Sequence, residues 1–343
     1  MSDAPTTMAQ VARLAGVSTA TVSHVINQTR KLSPATEARV RSAIAELAYI
    51  PDPSARSLRA GSSDVVGVAM PAISNPYLAT FVHELEEALA AVGKSMLLAD
   101  THDDPEVEVK AVRDLIARRL GGLVLAPSGT PDYAIELGRR YAVPLVMIDL
   151  MQERDDCDQI VVESVEAVEK VTAHLIDKGH RRIGMVSGLP GIRTTDQRTA
   201  GYRLAHERAG LPLDAALSPS GRSSRAGGRA AADALLDLAD PPTALVTGNN
   251  AMTIGSLEAI KARGLTVPGD VAMVCFDDFD WAELFEPQLT AIAPQVTLHA
   301  RRVVEMLGRR TEDPSMPAQH ETLTPKIMHR NSCGCDPTTA VPL

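Results

Sequence analysis

Carboxylate, amide, guanidinium and thiol side chains gather at a few points of the chain, and each gathering suggests a chemistry. The run Asp277-Asp278-Phe279-Asp280 has the ligand types of a metal site. The plainer reading is a loop at a strand end with one residue facing a ligand. Cys333-Gly-Cys335 could be redox-active or bind a metal, but no second pair stands at zinc-ligand spacing, so neither a metal site nor a cofactor is expected. His174, His180 and His206 share no ligand spacing and read as helix-end or surface residues. No G-x-G-x-x-G follows a strand-like run, and there is neither a lysine-bearing phosphate loop nor a G-x-S-x-G elbow, so an enzyme is not expected. What remains is Tyr77, Asp149, Arg193, Arg198, Asn250 and Trp281. Planar amides, carboxylates, guanidinium groups and aromatic faces suit a small, hydroxyl-rich molecule.

The elements that must position these residues alternate from Ser63 onward. Strand-like runs lie at 65–71, 95–100, 123–127, 144–149, 160–162, 182–187, 243–247, 271–276 and 289–292. Helical stretches lie between them, at 77–92, 106–119, 164–178, 198–209, 228–238, 250–263 and 297–309. Near-continuous apolar runs alternating with helices predict α/β architecture, parallel sheets covered on both faces. Ligands on such sheets sit beyond the carboxyl ends of the strands, and the polar residues named above follow those ends. The body, 63–343, is long enough for two lobes: an N-lobe of 63–162 plus 293–330, and a C-lobe of 163–292. The stretch GRSSRAGGR (221–229) reads as a loop.

The first fifty residues are different. Met8, Val11, Ala12 and Ala15 have i, i+3, i+4, i+7 spacing, Gly16 suits a helix end, and Ser18 suits the N-cap of a second helix carrying Val22, Val25 and Ile26. Ser33-Pro34 opens a third, with Val40, Ala43, Ile44 and Leu47 as its apolar stripe, and Pro51 and Pro53 are expected to stop it. This is an all-α helix-turn-helix head (1–50) followed by a short basic segment (51–62). The second helix offers Ser18, Thr19, Ala20, Thr21, Ser23, His24 and Asn27 as short side chains able to approach bases or phosphates. A net charge of −9 on 343 residues argues against a nucleic-acid partner only if it is evenly spread. It is not: residues 1–61 hold seven Lys/Arg against four Asp/Glu, a net of +3, and the remainder carries −12. A basic head on an acidic body points to a polyanion partner for the head. The N-terminus MSDAPTTMAQ lacks the basic and apolar regions of a secretion signal, no apolar stretch could span a bilayer, and four cysteines do not make a disulfide scaffold; a cytoplasmic protein without membrane contact is expected.

VARLAGVSTATVSHVIN, followed by LSPATEARVRSAIAELAYIPDPSARSLR, resembles the head and hinge of the lactose-repressor (LacI/GalR) family of bacterial transcriptional regulators. The body blocks SNPY, KGHRRIGMVSG, QRTAGY, GNNAMTIGSLEAI, GLTVPGDVAMVCFDD and PQLTAI resemble it too, less densely. The resemblance implies a two-lobed body like that of periplasmic sugar-binding proteins. It also implies a homodimeric repressor on a pseudo-palindromic double-stranded DNA operator, controlled allosterically by an effector such as a sugar, sugar acid or nucleobase-like compound. The helix after Ser18 would enter the major groove, and the SARSLR hinge the minor groove. There Leu58 would wedge into a base step and Arg56 and Arg59 would meet phosphates. Effector contacts would fall on Asp149, Arg198 and Asn250, with Tyr77, Leu78, Arg193 and Trp281. Two departures matter. His24 stands where many members have Arg and lacks the bidentate fork. Asn250 stands where Asp is usual, which would let Arg193 and Arg198 admit an acidic or phosphorylated effector. The lactose repressor has a C-terminal heptad helix for tetramers; the tail here has no heptad, so a dimer is expected.

Overall fold

The computed structural model describes residues 6–50, 63–71, 76–149, 154–279, 282–284 and 286–336. The chain divides into two compact units, Met1–Ser63 and Asp64–Leu343.

In the first unit α1 (Met8–Ala15), α2 (Thr19–Asn27) and α3 (Pro34–Glu46) surround a small core of Val11, Ala12, Ala15, Val22, Val25, Val40, Ala43 and Tyr49. Local chemistry sets each boundary. Thr7 and Gln10 form a reciprocal capping box on α1, and Gly16 ends it at φ 64°. The Ser18 hydroxyl caps α2 by accepting from Thr21 N at 3.1 Å, and Ser33 caps α3 ahead of Pro34. The third helix stops earlier than the prolines predicted. Ala48 turns left-handed at φ 45°, which folds Tyr49 back into the core; Pro51 and Pro53 lie outside the described residues.

The second unit holds two sheets. The first has order β10-β5-β4-β3-β1-β2, from β1 (Val65–Met70), β2 (Ser95–Asp100), β3 (Gly122–Leu125), β4 (Leu145–Ile148), β5 (Asp158–Val162) and β10 (His320–Leu323), all parallel. Its faces follow the strand alternation. Val66, Val68 and Met70 meet α4 (Pro76–Ala91) and α11 (Val296–Glu312), while Ala69, Leu123 and Leu125 meet α5 (Pro105–Ile116) and α6 (Asp132–Arg140). The second sheet has order β11-β9-β8-β7-β6, from β6 (Ile183–Val186), β7 (Ala244–Thr247), β8 (Ala272–Phe276), β9 (Thr290–Ala293) and β11 (Lys326–Met328). On one face lie α7 (Val165–Asp177) and α8 (Arg193–Arg208), on the other α9 (Arg225–Leu236) and α10 (Asn250–Ala262).

Three readings of the sequence are corrected. Residues 326–328, expected with the N-lobe, are β11 and pair antiparallel with β9 of the second sheet. The helix expected at 198–209 begins at Arg193. The stretch 221–229 is not all loop: Ser224 caps α9, and residues 225–229 are its first turns. The glycines there serve packing. A Cβ on Gly228 would stand 2.5 Å from Met252 Cα, and one on Gly255 of α10 would overlap the Arg225 carbonyl, so α9 and α10 are in backbone contact.

Candidate functional site

Each sheet turns at its carboxyl edge through a strained aspartate. Asp149 follows β4 at φ 53° and Asp277 follows β8 at φ 70°. Left-handed backbone at a non-glycine residue costs on the order of 1 kcal/mol or more and concentrates at functional sites. Here it places two carboxylates in electrostatic reach of Tyr77 on α4 and, for Asp277, of Arg198 on α8.

Arg198 is the centre of this cluster. Its guanidinium lies 3.6 Å over the ring of Phe276, the last residue of β8, and donates to the carbonyl of Gly248 after β7. Its Nε is buried without a hydrogen-bond partner in the protein. Asn250, the first residue of α10, is fully buried, and neither atom of its amide is partnered, although its backbone N–H donates to Asp277. Asp277 is 2% exposed, with Oδ1 unpartnered. Burial pushes its carboxyl from the ordinary 3.8 up to about 6 against the opposing pull of Arg198. Burial, then Asp149 and Asp277, raise the Tyr77 phenol well above its usual range, so it remains a hydroxyl donor. His299 of α11 is buried against Phe81 with both ring nitrogens unpartnered, and burial lowers its pKa, so it is neutral at pH 7. Buried polar atoms are normally satisfied, and leaving them bare costs roughly 1–3 kcal/mol each. A concentration of them across both lobes marks the candidate polar ligand site.

The structure sorts the expected residues. Tyr77, Asp149, Arg198 and Asn250 come together. Arg193 stands five residues before Arg198 on α8 and donates from Nε and one terminal nitrogen to the Gln197 amide oxygen, at 3.0 and 3.2 Å, with that amide turned to accept. Trp281 lies outside the described residues, as do Ser74 and Asn75. Leu78 packs on the first-lobe core. Other strand-end residues are spent on structure: Asn249 caps α10 by accepting from Met252 N at 2.8 Å, Ser187 donates to the Pro219 carbonyl, and Asp278 pairs with Arg330 at 2.8 and 2.9 Å. Among the described residues of the acidic run, Asp277 therefore joins the buried polar cluster, and Asp278 is held by Arg330. Phe276 and His299 were missed. Phe276 was hidden inside an apolar strand and His299 inside an amphipathic helix.

In the head, the exposed edge of α2 carries Ser18, Thr19, Ala20 and Asn27, with Thr21, Ser23 and His24 half-buried beside them. Asn27 donates to the Ser23 carbonyl at 2.9 Å, and His24 Nδ1 is 2.7 Å from the Thr29 hydroxyl. That contact, which spacing did not suggest, pins the imidazole and leaves Nε2 as a single polar point where an arginine would present a fork. Arg56, Leu58 and Arg59 lie outside the described residues.

A capped helix-turn-helix head, joined to a two-sheet body with a polar cluster at the strand ends, defines a DNA-binding regulator whose body is built like a small-molecule binding protein. Residues 7–52 match the family described as bacterial regulatory proteins, lacI family, and residues 172–333 match the periplasmic binding protein-like domain. The ribose operon repressor of Escherichia coli (strain K12) is 36% identical over 327 residues, 95% of this chain and 99% of that protein. The HTH-type transcriptional repressor PurR of Photobacterium profundum is 30% identical over 95% of this chain and 98% of its own. The crystal structure of the lac repressor dimer bound to operator and the anti-inducer ONPF superimposes with a TM-score of 0.85 at 26% identity, covering 96% of this chain and 99% of that one. The chain belongs to the lacI family of bacterial regulatory proteins, and its relatives are transcriptional repressors rather than enzymes. No helix among the described residues is long and apolar enough to cross a membrane.

Proposed function

We propose that this chain is a cytoplasmic repressor that binds a pseudo-palindromic operator as a homodimer and is controlled by a small, neutral, hydroxyl-rich effector held between the two lobes. The effector residues are Tyr77, Asp149, Arg198, Asn250 and Asp277, together with Arg193 and Trp281. The DNA residues are Ser18, Thr19, Ala20, Thr21, Ser23, His24 and Asn27 in the major groove, and Arg56, Leu58 and Arg59 in the minor groove. The domain limits that go with this reading are a head of 1–50, a hinge of 51–62 and a two-lobed body of 63–343.

Two carboxylates, Asp149 and Asp277, share the cluster with the guanidinium of Arg198, whereas Arg193 is turned to the Gln197 amide. Such a cluster favours vicinal hydroxyls, which donate to carboxylates and accept from Arg and Asn, and it repels phosphate and carboxylate ligands. This favours a neutral effector over the acidic one that Asn250 alone suggests. Similarity to a ribose operon repressor supports a sugar of small size. Calorimetric titration of the full chain with neutral aldoses, sugar acids, sugar phosphates and nucleobases tests it. A neutral sugar is expected to bind and the charged analogues to fail; tight binding of only a phosphorylated or acidic ligand overturns it.

A further inference from the structure

The sequence showed two cysteines near the C-terminus and no partner pair. The fold supplies the partners. His174 lies near the end of α7, and His329 follows β11 directly. Together with Cys333 and Cys335 they bring four ligand atoms within 4.8 Å of one another. Cys335 Sγ is 3.4 Å from His174 Nε2, and the two imidazole rings meet edge to face, with centroids 4.8 Å apart. We propose that these four residues bind one Zn²⁺ ion per chain, a structural site at the amino-terminal edge of the second sheet, at the end away from the effector cluster.

The ligand set and spacing fit this ion. A tetrahedral zinc with bonds of about 2.3 Å to sulfur and about 2.0–2.1 Å to nitrogen needs its ligands about 3.3–3.8 Å apart, so closure takes shifts of less than about 1 Å each. Two thiolates and two imidazoles in a closed shell are the make-up of a structural zinc site, not of an open catalytic one. One neighbouring hydroxyl is placed to donate to a metal-bound thiolate. Cys333 is fully buried, and the Thr290 hydroxyl donates to its sulfur at 3.3 Å. The Thr290 oxygen itself accepts from Arg330 N at 3.1 Å, which directs its proton toward the sulfur. A donor of this kind orients and steadies a metal ligand. The segment is also fixed in advance. Ser332 is buried between β8 and β9, donating to the Met273 carbonyl and accepting from Thr290 N, and Arg330 clasps Asp278 and the Leu289 carbonyl. On binding, both thiols release their protons to solvent and both histidines coordinate as neutral imidazoles. The ion would join the last described stretch of chain to α7 and so close the second lobe.

The test is metal analysis of the full chain, reconstituted with zinc sulfate under reducing conditions and passed through a desalting column. About one zinc per chain should remain, and Co²⁺ in its place should give the intense visible bands of a tetrahedral thiolate site. His174→Ala and Cys335→Ser alter partly exposed residues far apart in sequence, and each should weaken zinc retention at least 10-fold, the scale on which a tetrahedral site suffers from a lost ligand. Substoichiometric zinc in the unaltered chain, or full zinc in both variants, overturns the assignment. So does quantitative Cys333–Cys335 disulfide under the same conditions.

Discussion

Replacing Arg198 with alanine is expected to abolish effector control, weakening the sugar that binds the unaltered chain on the order of 100-fold, or about 3 kcal/mol, while the protein stays folded. The guanidinium is the positive group among Tyr77, Asp149 and Asp277, and it is held over Phe276 and against Gly248, so it is pre-oriented for a ligand. Its loss removes a donor and also leaves the buried Asp277 anion with the Asn250 N–H but no cation. Asp277→Asn separates these effects. The folded-state pKa of about 6 lies above the ordinary 3.8, so the folded protein binds more protons than the unfolded chain between those values. Stability contributed by this group is therefore present at low pH and lost as pH rises through 6. At pH 7 the ligand-free Asn variant should be more stable than the parent by about 2 kcal/mol, with the gain fading as pH falls from 6 to 4. The same variant should bind sugar less tightly, because a neutral amide oxygen is a weaker acceptor than a carboxylate. Titration calorimetry and urea unfolding at pH 5 and 7 read both effects. Unchanged sugar affinity in Arg198→Ala would remove the cluster from the ligand site.

A second large effect is expected at Arg310, which touches neither candidate ligand site. Asp158 opens β5 with 1% of its side chain exposed, and Arg310 of α11 grips both its oxygens at 2.9 and 2.6 Å. The same guanidinium binds the carbonyls of Pro314, Met316 and Pro317, and Gln319 N donates to Asp158 at 2.8 Å. This cluster fixes the loop that delivers β10 alongside β5. Arg310→Ala leaves a buried carboxylate without its cation, and should cost about 3–5 kcal/mol of unfolding free energy. Asp158→Asn in the Arg310→Ala background should recover a substantial part, since the penalty belongs to the unpaired charge. A loss below about 1 kcal/mol in urea unfolding would show that water reaches the carboxylate.

Periodicity and capping chemistry were enough to place the head helices, because Thr7, Ser18, Ser33 and Gly16 mark boundaries by local hydrogen bonding alone. The parallel strands were equally legible as short apolar runs. The elements that escaped are those whose burial is decided by partners distant in sequence. Asp132–Arg140 is a nine-residue helix with four charged residues, and only Ala134, Ile135, Leu137 and Gly138 are buried. His320–Leu323 and Lys326–Met328 are edge strands with half-exposed polar residues and no alternation to read. For the candidate site, reading the positions after each strand found Asp149, Arg198 and Asn250. It could not divide Asp277 from Asp278, because that division depends on Arg330, 52 residues further along. The His174 cluster was invisible for the same reason: its members are adjacent only after the chain returns to the second sheet.

A sequence-reading head attached to an effector-binding body must select its own operator. Selection of bound duplexes from a random-sequence DNA pool by the purified full chain, followed by sequencing, tests this most directly. Enrichment of an inverted repeat whose two half-sites are read by the α2 residues is expected, with binding that falls steeply as salt rises because the phosphate contacts release counterions. Recovery of no common sequence, or of one unrepeated half-site, would contradict it.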